Sequence, residues 1–518
     1  MPDEAEVHSN WRIDQAQDEV AIRRCRAALE QTRTAHRDRL AELREVLLGH
    51  RAARFHPLQT PDILNSGLNS AQRDAVAFAL SAQDVALIHG PPGTGKTTAV
   101  VEVIRQAVRQ GAKVLACAPS NMGVDNLLQR LMACDERVVR IGHPARVLPQ
   151  LRSRTLDMLV ERHGDVRVAR KLANEAFRLR TQADKRTGYA QAENRRELRQ
   201  EARSLLADAR RLEAQAVESI LNEADIICAT TTGLDSEWLG ECQFDLAVID
   251  EACQSTEPGC WIPLLRSQRV VLAGDHCQLP PTIISREAAA EGFQLSLFER
   301  LMLQHQHLHR QLTIQYRMHQ DIMAFSSREF YHDTLVAAPE VSEHLLGQLG
   351  HVQEEHLTMT PVEFYDTAGA GFDEEKEPDG DSRRNPREAQ LVELKVRSLL
   401  AAGLTPHDVA VIAPYAAQAR LLRQNLAIEN LEIDTVDGFQ GREKEVIIIT
   451  LVRSNLHGVI GFLSDDRRMN VALTRARRKL LVIGDSATLG SHPFYQRLLE
   501  YFEEIGAYRT VWEVPELW

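Results

Sequence analysis

The run Gly90-Pro91-Pro92-Gly93-Thr94-Gly95-Lys96-Thr97, continued by Thr98, has the residue types of a loop that wraps phosphate. Its glycines let backbone N–H groups turn inward around phosphate oxygens. Lys96 can then reach the β and γ phosphates, and the Thr97 hydroxyl can ligate Mg2+. The run follows an apolar stretch at 85–89 and opens a helical pattern through 100–108, whose N-terminus adds a favourable dipole. Downstream, Leu246-Ala247-Val248-Ile249-Asp250-Glu251 is an apolar strand ending in two carboxylates. Asp250 suits a Mg2+ held through water, and Glu251 suits orienting and deprotonating an attacking water. A second such strand ends at Asp275 and is followed by His276-Cys277-Gln278. Gln278 carries an uncharged amide that can contact a γ-phosphate or its water without adding competing charge. Together these residues point to ATP hydrolysis with Mg2+.

Other combinations are weaker. His305, His307 and His309 alternate like one face of a strand, but no carboxylate or cysteine completes a ligand set, which favours a polar surface turn. Cys253, beside the acidic pair, reads as a packing residue because no histidine is placed by sequence to activate it. The eight cysteines contain no C-x-x-C pair, and Cys117 and Cys228 fall inside apparent strands. That pattern suggests buried thiols, a reducing compartment and no structural zinc.

The elements that must position the site follow from patterning. Apolar runs at 85–89, 114–118, 246–249 and 270–273 read as buried parallel strands separated by helices, and those at 409–413, 432–436, 446–450 and 480–484 repeat the rhythm. The expected fold is therefore α/β, with two parallel-sheet P-loop NTPase domains at about 68–310 and 311–518. Residues 14–48 read as one helix within an N-terminal segment at 1–67. Residues 151–224 lose the strand rhythm and read as paired helices inserted in the first domain. Arg178, Arg180, Lys185, Arg186, Arg195, Arg196, Arg199 and Arg203 make that insertion locally basic, which suits either a solvated face or a nucleic-acid contact. Residues 369–381 are acidic and poor in apolar side chains, as an exposed loop would be. The net charge of −12 argues against a protein that coats nucleic acid but leaves local patches free to bind it. No apolar run reaches membrane-spanning length and the first residues are acidic, so the expected location is cytoplasmic.

The ordered segments IHGPPGTGKT, VIDEACQ, LAGDHCQLPPT, LTIQYRMH, TVDGFQGREKEV and MNVALTRARRKL resemble the motif series of superfamily 1 helicases. The resemblance is strongest to the branch containing the nonsense-mediated-decay helicase and the immunoglobulin-μ-binding-protein helicase. It covers roughly residues 68–502 and implies two RecA-like domains with ATP between them. It also implies roles residue by residue. Gln72 would read adenine and Tyr316 would stack on the base. Arg317 and Arg475 would reach the γ-phosphate from the second domain, and Gln440 and Glu443 would sit near the ribose and the domain interface. Pro119, Ser120, Asn121, Thr230, Thr231 and Thr232 would contact a nucleic-acid backbone. Related helicases carry an accessory β-barrel on a helical stalk before the first motor domain. The segment ahead of residue 68 shows only helix, so the stalk is expected without the barrel. The implied activity is a monomeric motor moving 5′ to 3′ on single-stranded DNA or RNA, away from any membrane. The competing reading is an ATP-gated clamp or remodeller that grips a strand without processive unwinding. A kinase or a ring ATPase would share the phosphate loop but would leave the motifs between 311 and 478 unused.

Overall fold

The computed structural model describes residues 19–185, 192–234, 239–240, 242–377, 380 and 382–518. Arg186 and residues 14–18 lie outside these. In the first half, β1 (Val85–His89), β2 (Val114–Ala118), β3 (Val138–Arg140), β4 (Ile226–Thr230), β5 (Leu246–Ile249), β6 (Val270–Gly274) and β7 (His309–Gln311) form one sheet in the order β3-β4-β2-β5-β6-β1-β7, with every pairing parallel. Every residue of β1, β2, β5 and β6 is buried, as expected of strands covered by helices on both faces. Two apolar clusters, one on each side, hold the sheet between them.

The second half opens with a small parallel pair, β8 (Ile314–Gln315) and β9 (Val336–Ala337). Its main sheet contains β10 (Val362–Asp366), β13 (Val409–Ala413), β14 (Glu432–Thr435), β15 (Lys444–Thr450), β16 (Ala476–Gly484) and β17 (Tyr508–Thr510), in the order β14-β13-β15-β16-β10-β17. All its pairings are parallel. Between β10 and β13 lies a short antiparallel pair, β11 (Glu375–Lys376) and β12 (Arg383–Arg384). Two further clusters form this half's core. Leu312 packs in the first half and Met318 in the second, while Leu279 crosses over to pack with the second.

The N-terminal segment is two helices, where one was expected. Helix α1 (Glu19–Thr34) ends before Arg37, whose φ of 57° is left-handed, and Asp38 then caps α2 (Arg39–Leu47) by accepting from the Ala41 N–H at 2.8 Å. These helices dock on the first sheet. Arg39 and Arg54 both donate to the buried Asp84 carboxylate, at 2.7 and 2.8 Å, immediately before β1.

Further along come α3 (Ser70–Ser81), α4 (Lys96–Arg109), α5 (Asn121–Ala133) and α6 (Leu156–Arg162). The insertion between β3 and β4 then continues as α7 (Gly164–Lys185) and α8 (Ala192–Glu223). Ala169, Ala176 and Ala183 on α7 and Ala202, Ala209 and Ala216 on α8 recur every seventh residue and are buried. This small-residue seam lets two long charged helices approach closely, which explains how so polar a stretch folds. Arg178, Arg180, Arg196, Arg199 and Arg203 remain exposed on it. Among the described residues no helix is long and apolar enough to cross a membrane.

Candidate active site

Strand register assembles the first half of the site. His89 at the end of β1 is level with Gly274 at the end of β6, and Ile249 at the end of β5 is level with Leu272. The phosphate loop, the Asp250–Glu251 pair and the Asp275–Gln278 segment therefore emerge side by side at the carboxyl edge of the sheet, where open α/β sheets bind ligands. Gly93 and Gly95 take φ of 75° and 74°, which only glycine adopts without strain. A side chain at Gly90 would collide with Lys96, and one at Gly95 with Gln72.

Lys96 is buried, with its Nζ 3.0 Å from Asp250 Oδ1 and 2.6 Å from Glu251 Oε1. Burial alone would lower its pKa, but the two carboxylates outweigh that and hold it above the usual lysine value. The Thr97 hydroxyl donates to Asp250 Oδ2 at 3.0 Å. This puts two hard oxygen donors beside the phosphate loop, a set suited to Mg2+. Glu251 has a left-handed φ of 55°, a strained setting for a residue with a side chain, and Gln254 steadies its carboxylate at 2.9 Å.

The second half presents the opposite edge of its sheet. Glu443 precedes β15 and Arg475 precedes β16, and the pairing of Lys444 with Ala476 makes them neighbours. Arg475 is almost fully buried, yet its bonds go to neutral acceptors: the carbonyls of Val471 (2.9 Å) and Arg442 (3.5 Å) and the amide oxygen of Gln278 (2.9 Å). Burial, with Arg317 nearby, pushes its pKa down to about 9. Arg317 donates to Glu443 and, at 3.0 Å, to the Thr474 carbonyl. Burial would raise Glu443, but the charge and hydrogen bond of Arg317 outweigh it and leave the pKa lowered.

One cavity of about 840 Å³ is lined by the whole phosphate loop, Thr98, Glu251, Gln254, Gln278, Tyr316, Arg317, Gln440, Glu443 and Arg475. Tyr316 is partly exposed there, and its hydroxyl accepts from Asn69 at 3.0 Å. The amide nitrogen of Gln440 is buried and has no hydrogen-bond partner among the described residues. Gln72 is placed differently from its expected part in reading a base. It is buried under the loop, donating to the Thr94 carbonyl at 2.9 Å and accepting from the Asn69 N–H at 3.0 Å, so its amide props the loop. Thr98 accepts from Arg130 at 3.1 Å.

The residues matched to a nucleic-acid backbone divide. Ser120 is exposed and caps α5, while Pro119, Asn121, Thr230 and Thr232 are half-buried at the ends of β2 and β4. Thr231 is buried, its hydroxyl 3.5 Å from that of Ser255, because the 3₁₀ turn after β4 rotates it inward. It therefore cannot line a groove.

Three further residues, absent from the expected site, organise these parts. Fully buried Arg140 donates to the Asn121 side chain at 2.9 Å and fixes that loop. Tyr331 donates to Asp275 Oδ2 at 2.8 Å and accepts from Asn470 at 2.9 Å, bridging the two halves. Burial would raise the Asp275 pKa, but donation and charge from His89, and donation from Gln278 and Tyr331, hold it at about 2. Asn470 could have been noticed within MNVALTRARR. Nothing local marks Tyr331.

Two parallel-sheet α/β units facing each other across a phosphate loop define tandem RecA-like P-loop NTPase domains. Two family models, each described as an AAA domain, match residues 67–286 and 293–487. The chain is 44% identical to the DNA-binding protein SMUBP-2 of Mesocricetus auratus over 98% of its own length and 52% of that protein. It is 41% identical to the DNA polymerase alpha-associated DNA helicase A of Schizosaccharomyces pombe, over 85% of this chain and 67% of that one. An uncharacterized ATP-dependent helicase of Methanocaldococcus jannaschii is 33% identical, over 95% and 79% respectively. The chain belongs to the superfamily 1 helicases, in the branch of SMUBP-2 and the regulator of nonsense transcripts 1. It spans about half the length of the SMUBP-2 relatives.

Proposed function

We propose that the chain is a nucleic-acid-dependent ATPase that translocates 5′ to 3′ on single strands and unwinds duplexes. The observation that carries this reading is the shared cavity, in which a complete phosphate loop faces Arg317 and Arg475 from the opposing half. Arg475 is a desolvated cation bonded only to neutral acceptors, so an arriving phosphate is the partner its pocket is built for.

Thr97 and Asp250 would hold a Mg2+ ion, which when bound neutralises charge on the β and γ phosphates. Lys96 exchanges its two carboxylates for phosphate oxygens. Glu251, released from Lys96 and steadied by Gln254, orients the attacking water and accepts its proton. Arg317 must leave Glu443 to reach the phosphate, so its contribution depends on the cleft closing. Closure and release then move the second half against the first.

Ser120, Asn121, Thr230 and Thr232 offer short polar side chains at strand ends. Such groups hold phosphates and sugars without reading bases, as a stepping motor requires. The test is ATP turnover titrated with single-stranded DNA and RNA of matched length, alongside strand displacement on tailed duplexes. Turnover indifferent to both polymers would sink the proposal. Stimulated turnover without displacement would reduce it to an ATP-gated clamp.

A further inference from the structure

A second cluster of chemically able side chains lies at the ends of β1 and β6 and has no part in the hydrolysis proposed for this chain. His89 closes β1, and Asp275, His276 and Cys277 follow β6, whose end is level with that of β1. One donor atom from each residue, two imidazole nitrogens, a carboxylate oxygen and a sulfur, lies within 4.8 Å of all the others. His89 and Asp275 are buried, and His276 and Cys277 are half-buried.

Hydrogen bonding leaves this group incompletely satisfied. His89 Nε2 meets Asp275 Oδ1 at 3.1 Å, and Cys277 Sγ lies 3.6 Å from His276 Nε2 and 3.3 Å from the Phe330 carbonyl. Among the described residues nothing hydrogen-bonds the buried His276 Nδ1, the ring nitrogen other than the one beside Cys277, which is unusual for a polar atom in a native interior. Among the described residues no lysine or arginine donates to any of the four.

The donor set and its spacing suit one tetrahedral borderline metal. Zinc takes nitrogen, sulfur and carboxylate ligands with bonds of about 2.0–2.3 Å, which spaces the donors roughly 3.3–3.8 Å apart. The His276–Cys277 pair already has that separation, and the widest pair needs a shift of about an ångström. The second oxygen of Asp275 accepts from Gln278 at 2.7 Å and Tyr331 at 2.8 Å, the kind of outer contact that orients a ligating carboxylate. Those contacts also connect the cluster to the domain joint, because Gln278 accepts from Arg475.

We propose that His89, Asp275, His276 and Cys277 bind one zinc ion, and that the bound ion slows ATP turnover by tying the ends of β1 and β6 together at the joint. Binding releases the thiol proton of Cys277, and no electron is transferred. The effect on turnover rests on the ATPase reading above, whereas the site itself does not.

The experiment is a Co2+ titration of the metal-stripped full chain, followed by its displacement with Zn2+. One equivalent should produce the visible bands of tetrahedral cobalt and a near-ultraviolet thiolate-to-metal band, both bleached by Zn2+. Cys277→Ser should remove the thiolate band. Both Cys277→Ser and, as a second variant with a different fold risk, His276→Asn should weaken metal binding by roughly tenfold or more. Thermal melts check that each variant is folded. No cobalt uptake, or bands that survive both substitutions, would overturn the site. ATP turnover with and without one equivalent of Zn2+ should fall in the native chain and stay level in Cys277→Ser. An unchanged ratio in the native chain would overturn the control of turnover. Because the cobalt spectrum needs no ATP, failure of the site and failure of the ATPase reading are separately visible.

Discussion

Arg475 of the second domain donates to the Gln278 amide oxygen of the first at 2.9 Å, across the cleft that contains the phosphate loop. Gln278 in turn donates to Asp275 at 2.7 Å, so a single glutamine connects the buried arginine to the end of β6. A ligand that draws Arg475 toward phosphate must change this contact. Arg475→Ala should lower kcat by about 10³-fold or more, the range for arginines of this kind. Gln278→Ala should lower it less, and the double variant should be little worse than Arg475→Ala alone. Steady-state kinetics of the three variants measure the coupling; strictly additive losses would show that the two residues act independently.

Glu251→Gln should keep ATP binding and lose turnover by orders of magnitude, since the amide preserves shape but cannot take a proton. Lys96→Ala should lose binding as well. Equilibrium binding of a fluorescent ATP analogue beside single-turnover hydrolysis separates the two effects. Hydrolysis intact in both variants means that the active site has been misassigned.

Tyr331→Phe removes one hydroxyl that serves both Asp275 and Asn470. Leaving those buried groups short of a partner should cost about 1–3 kcal/mol of stability. Asn470→Ala should cost less on top of Tyr331→Phe than it does in the parent, because only its bond to the Cys277 carbonyl, at 2.8 Å, is then left to lose. Denaturant titrations of the single and double variants read this directly.

Arg140→Met should free the Asn121 side chain and weaken single-strand binding while leaving the KM for ATP near that of the parent. In the parent, single-strand affinity should fall with salt at a slope of about 0.7 per phosphate neutralised. Fluorescence anisotropy with labelled oligonucleotides at several salt concentrations checks both. A raised KM with undiminished strand binding would count against the assignment of this loop.

Asp84 predicts a pH effect at the N-terminal helices. Burial would raise its pKa, but bonds from Arg54 and Arg39 outweigh that and hold it at about 2. A carboxyl depressed on folding contributes stability that is present above its unfolded pKa, near 4, and is lost as pH falls toward 2. Asp84→Asn should therefore cost about 1–3 kcal/mol at neutral pH. The difference from the parent should shrink over that acid window, as thermal melts at stepped pH would show.

The sequence by itself determined the phosphate-loop pattern of the first domain and the strands that carry it. Gly90 to Thr97 form a contiguous loop, and Asp250 and Glu251 end an apolar run, so both are local patterns set by strand burial and loop conformation. The strand spans at 85–89, 114–118, 246–249 and 409–413 agree with the structure for the same reason. Tertiary structure decided what depends on distant partners. The expected single N-terminal helix is two, because Asp38 can cap a second start once Arg39 reaches Asp84. Thr231 faces inward although its neighbours do not, because the turn after β4 sets its direction against Ser255. Gln72 props the phosphate loop, Tyr331 bridges the halves, and His89 meets Asp275 across 186 residues of chain. None of these contacts has a local signature, because parallel pairing brings together strand ends far apart in sequence, and only the assembled sheets set which side chains meet.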